Sequence, residues 1–107
     1  MAWLILIAAG VFEVAMAYSL KMSHGFTQVW WAVSFGVFAV LSFGLLAMAL
    51  KSLEVGTAYA VWTGIGAVGT AVVGILLLGD DASIVKIVSI GLILTGVVGL
   101  NLAGAGH

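Results

Sequence analysis

Residues 3–20, WLILIAAGVFEVAMAYSL, form an apolar run long enough to cross a bilayer, with a single carboxylate, Glu13, near its middle. A membrane-spanning helix needs about 20 mostly apolar residues, and an acidic side chain at its centre costs on the order of 3 kcal/mol to insert. A charge in that position marks a functional site inside the membrane. At helical spacing Glu13 shares its face with Leu6, Ala9, Gly10, Met16, Ala17 and Leu20, so small residues flank the carboxyl. The pattern predicts a cavity with an acid in it.

The rest of the chain agrees with a membrane setting. Of 107 residues, 64% are hydrophobic and 7% charged, against about 25% charged in an average soluble domain. The charged side chains are Glu13, Lys21, Lys51, Glu54, Asp80, Asp81 and Lys86. Spread over short loops, they offer no basic surface for nucleic acid. Cysteine is absent, which excludes disulfides and thiolate metal sites. With no metal-ligand cluster and no nucleotide motif, neither a metal nor a cofactor is expected. The first segment lacks a positive leading region and is too long for a signal-peptide core, so it reads as a retained helix.

Three further spans follow, at about 29–50, 56–78 and 84–102, making an all-α membrane protein with four transmembrane helices in one domain over 1–107. Residues 21–28, KMSHGFTQ, form a tight interfacial turn, with His24 as a loop residue. Trp30 and Trp31 sit at the depth of an interfacial aromatic belt. In the second span Ser34 is expected to bond its own i−4 carbonyl, whereas Ser42 lies in a stripe with Phe38 and Leu46. In the third span Tyr59, Trp62, Thr63, Gly66 and Thr70 fall on one face by i+3 and i+4 steps. Trp62 lies too deep for an anchor and points to packing or binding. Gly64 and Gly66 allow close backbone approach or a bend. In the fourth span Gly91, Thr95 and Gly99 make a small-residue stripe suited to helix–helix or dimer contact. A polar, Gly-rich tail is expected from Asn101 to the C-terminus.

Four helices of this length make a bundle too thin to enclose a pathway, so an oligomer is expected. Lys51 and the α-amino group lie on one side of the membrane, Lys21 and Lys86 on the other. Positive charge is balanced, and the positive-inside rule selects no direction. Both orientations are expected.

These residues resemble the small multidrug resistance transporters, four-helix proteins that work as antiparallel dimers. The likeness covers nearly the whole chain and rests on Glu13 after AAGVF, the LKMSHGFT turn, Ser42, and above all GTAYAVWTGIGAVG in the third span. TGIGAVG is more similar to the guanidinium exporter branch than to the quaternary ammonium branch. The resemblance implies that Glu13 of both subunits binds cation or protons, that Ser42 and Trp62 hydrogen-bond or position that carboxylate, and that Tyr59 lines and gates the site. It also implies a multi-pass protein of the bacterial plasma membrane. Two departures stand out: Met16 where guanidinium exporters usually carry Trp, and Glu54 where the family usually has Pro. Asn101 stands where a Lys is frequent. Met16 is flexible and offers no donor, so a reshaped pocket is expected. Some family members pair unlike subunits, which leaves a heterodimer with a paralogous chain as the alternative to an antiparallel homodimer.

One acid serving two ligands couples them, because it holds a proton or a cation but not both. The expected function is proton-coupled export of guanidinium and substituted guanidiniums, with lipophilic quaternary ammonium export as the alternative. A structural membrane subunit is the remote one. Without a paired nucleophile and base, an enzyme is not expected.

Overall fold

The computed structural model describes residues 2–104 of the chain. Four helices run Ala2–Met22 (α1), Val29–Ala49 (α2), Val55–Leu77 (α3) and Ile84–Gly104 (α4), each long and apolar enough to cross a membrane. In hydrocarbon every backbone N–H and C=O must be satisfied within its own segment, which makes helices of these runs. α4 carries on through Asn101 to Gly104, so the expected polar tail is helical over those residues. Its remainder, 105–107, lies outside the described residues.

The turns stop the helices by identifiable means. Between α1 and α2, His24, Gly25 and Phe26 all take positive φ (47°, 73° and 69°), a left-handed path uncommon for residues other than glycine. Buried Ser23 holds it: its hydroxyl donates to the Leu20 carbonyl at 2.7 Å and accepts the Phe26 N–H at 3.1 Å. After α3, Gly79 at φ 75° reverses the chain, and the Asp80 N–H donates back to the Gly74 carbonyl at 2.9 Å. Ser83 then caps α4 by accepting the Lys86 N–H at 3.2 Å, satisfying a donor left free at the helix start.

α1 is the central element. It packs against both α2 and α3, while α4 packs on α3 and α2 barely reaches α3. The helices therefore stand in the order α2, α1, α3, α4, in a slab of 45 × 34 × 17 Å. Since one helix with side chains is about 10–12 Å across, the slab is hardly thicker than a single layer. The core, Leu6, Ala9, Leu46, Ala49, Ala58, Val61 and Trp62, joins the first half of α1 to the end of α2 and the start of α3. It fills the half of the bundle nearest the α2–α3 loop. Among the described residues, none on α4 is buried.

Three glycines let helices meet closely. A Cβ at Gly10 would collide with Ile65, one at Gly69 with Val14, and one at Gly64 with Val97. The second and third place α3 against α1 and α4 respectively. The Gly10 result bears on the expectation that small residues on α1 leave room beside the acid: the room at Gly10 is filled by Ile65. The cavity is made instead by small residues on α3.

Candidate functional site

Glu13 sits on the second half of α1, just past the packed core, and faces α3. Its carboxylate lies directly over Gly66, where any Cβ would overlap it. The hydrogen of glycine is thus the side chain that this acid requires opposite it. The Oε1 atom is buried and has no hydrogen-bond partner among the described residues. A buried polar atom left without a partner is costly in an apolar medium. The position is therefore built to receive a donor.

That donor has space. A cavity of about 450 Å³ opens beside the carboxylate, lined by Glu13, Thr63, Gly66, Ala67, Thr70 and Ala71, with Asp80 and Lys86 at its far end. The third-span face expected to carry polar groups thus divides in two. Thr63, Gly66 and Thr70 line the cavity, while Tyr59 and Trp62 belong to a separate cluster nearer the core.

In that cluster the indole Nε1–H of Trp62 donates to the Ser42 hydroxyl at 3.0 Å, and Ser42 donates to the backbone carbonyl of Ala9 at 2.7 Å. The relay ties α3 to α2 and α2 to α1. It ends on α1 one helical turn before Glu13, at the backbone, and neither Ser42 nor Trp62 bonds the carboxylate in this conformation. Ser42 is fully buried and Trp62 only 7% exposed. Tyr59 packs edge-on against Trp62 with ring centroids 5.6 Å apart, and Phe43 tilts onto the same indole at 5.2 Å. Tyr59 remains 48% exposed, at the outer face of the cluster. Ser34, by contrast, bonds the Trp30 carbonyl of its own helix at 3.0 Å.

Met16 is half-buried on α1, a turn beyond Glu13. Gly91, Thr95 and Gly99 form an exposed stripe on α4. Nothing lies within 4 Å of a Cβ at either glycine, and the Thr95 hydroxyl is satisfied by the Gly91 carbonyl at 2.8 Å. Two residues of the cavity carry no signal in the sequence. Asp80, a loop charge there, lines the cavity with Glu13. Lys86 does so as well, and nothing in the local pattern of either residue signals it.

Known proteins resemble this chain over nearly its full length. The profile of the family described as Small Multidrug Resistance protein matches residues 1–93. A guanidinium exporter of Yersinia pseudotuberculosis is 57% identical over 103 residues, which span 96% of this chain and 99% of that protein. Guanidinium exporters of Salmonella typhimurium and Citrobacter freundii are 50% and 48% identical over the same length, covering 96% of this chain and 98% of each relative.

Proposed function

The chain belongs to the small multidrug resistance family and is a multi-pass membrane transporter rather than an enzyme; from that premise we propose that it exports guanidinium-type cations in exchange for protons at Glu13. The observation that carries the proposal is the Glu13 carboxylate over Gly66, whose buried Oε1 has no partner among the described residues, with a cavity beside it. A planar guanidinium presents paired N–H donors that match a carboxylate bidentately. The Thr63 and Thr70 hydroxyls stand ready to accept from its remaining N–H groups. A proton on the same carboxylate removes the charge that holds the cation. Occupancy is exclusive, and it links the two fluxes if the site opens to one side of the membrane at a time.

The named activity of the relatives supports the substrate class. The Met16 side chain supports a wider range within it, because a flexible thioether beside the acid neither orients it nor limits the pocket as an indole would. Substituted guanidiniums are accepted at least as well as the bare ion. In this reading Tyr59 guards the outer face of the Trp62 cluster, and Ser42 and Trp62 set the position of α1. Two copies in antiparallel arrangement, joined through the Gly91, Thr95 and Gly99 stripe, supply the second half of the site. A paralogous partner is the alternative second chain.

Proton-coupled currents on supported membranes, recorded for guanidinium, an alkyl-substituted guanidinium and a tetraalkylammonium, test the proposal. The two guanidiniums should give current and the Glu13→Gln variant none, with its fold retained. Glu13→Asp should keep exchange at a shifted pH optimum. Met16→Trp should move the preference towards bare guanidinium by about 1 to 2 kcal/mol, the size of one hydrogen bond with local packing. Current from the tetraalkylammonium alone would place the chain with multidrug exporters, and substantial exchange by Glu13→Gln would refute the central role of the acid.

A further inference from the structure

We propose that Asp80 forms an entry subsite for guanidinium-type cations at the mouth of the Glu13 cavity, a weak first stop from which the ion moves inward to Glu13. The inference rests on the reading above that the chain carries such cations, and it adds a second, outer carboxylate to the path. Three observations lead there.

The first is continuity. One cavity is lined by Glu13 at its inner end and by Asp80 at its outer end, with Thr63 and Thr70 among its walls. Asp80 and Thr70 also line the adjoining pocket of about 190 Å³, with Tyr18, Lys21 and Gly74. Asp80 thus stands on the wall shared by both openings at this end of the bundle.

The second is placement. An aspartate in a loop at the membrane surface would ordinarily extend into water, but here the chain folds it back onto α3. Gly79 takes a left-handed turn, and the Asp80 N–H is fixed to the Gly74 carbonyl at 2.9 Å. Gly74 is buried, and a Cβ there would collide with the Asp80 carboxylate. Its neighbour Asp81 lines neither cavity. The turn therefore presents one of two adjacent acids to the path.

The third is charge balance. Lys86 lines the same mouth and Lys21 the adjoining pocket, so a cation at Asp80 meets attraction tempered by two ammonium groups. A step on a transport path must bind well enough to capture and weakly enough to release. Asp80, with Lys86 on the same mouth, meets both requirements.

The prediction concerns the full chain in proteoliposomes, with uptake of an alkyl-substituted guanidinium measured across concentration. Asp80→Asn should raise KM roughly three- to fivefold, the size of one partly exposed charge interaction, and lower the maximal rate by less than that. Asp80→Glu should restore KM towards the wild type. Lys86→Gln should shift KM the opposite way, downward, and added salt should shrink the gap between wild type and Asp80→Asn. An unchanged KM in Asp80→Asn overturns the proposal. So does a shift in the same direction for Asp80→Asn and Lys86→Gln, or a loss of maximal rate at constant KM, which is what a merely disturbed helix turn produces. If Asp80→Asn does not fold, the direction of the Lys86→Gln shift alone decides. A wild type that moves no guanidinium removes the transport reading and this inference with it, whereas a transporting wild type with an indifferent Asp80→Asn removes the subsite alone.

Discussion

At the scale of single residues, the site depends on what stands opposite each polar group. Glu13 is opposite a glycine, and its Oε1 has no hydrogen-bond partner among the described residues. Ser42 is opposite a backbone carbonyl and spends its hydrogen there. That difference supports different work for the two residues: in the proposed exchange Glu13 meets the ligand, while Ser42 bonds the helix that carries Glu13. Ser42→Ala should leave the Trp62 Nε1–H buried without an acceptor, at a cost of about 1 to 2 kcal/mol. Thermal unfolding in detergent, followed by circular dichroism, should show the lowered stability, and Ser42→Thr should recover part of it by keeping the hydroxyl. Equal melting of Ser42→Ala and wild type would mean that the relay contributes nothing to the fold.

At the scale of helices, α3 spends its glycines in different directions. Gly64 admits Val97 of α4, Gly66 admits the Glu13 carboxylate, and Gly69 admits Val14 of α1. Close approach accounts for each of them, and α3 is helical without interruption from Val55 to Leu77. The Gly69 contact is suited to a double-mutant test, because its clash is with Val14 Cγ2 while the Val14 Cβ would lie at an ordinary 3.5 Å. Gly69→Ala should destabilise by about 1 to 3 kcal/mol, as overpacking does. In a Val14→Ala background most of that cost should vanish. Additive effects of the two substitutions, measured in the same melting experiment, would show that Gly69 and Val14 are not in contact.

At the scale of the molecule, the single-layer slab has one packed half, towards the α2–α3 loop, and one open half, where the cavity reaches the α3–α4 turn. Lys51 lies at one end and Lys21 and Lys86 at the other, a difference of one charge that gives insertion little bias to follow. A C-terminal tag should report both sides of the membrane, and two lysines added to the Lys51 loop should drive the population to one orientation. One orientation in the unmodified chain expressed alone would argue for a partner of opposite topology. The four spans and the acid inside the first of them were legible in the linear sequence, because each depends on the composition of a continuous segment measured against the thickness of a bilayer. So was the self-satisfied hydroxyl of Ser34, which is local to one helix turn. Other features depend on which helices become neighbours, and pattern along one chain segment carries no record of that: Ile65 filling the space at Gly10, Ser42 turned to the Ala9 carbonyl, and the cavity of Glu13 reaching Asp80 in the α3–α4 turn. Packing of α1 between α2 and α3 decided them, since a side chain's partner across an interface is set by the azimuth and depth at which two helices meet.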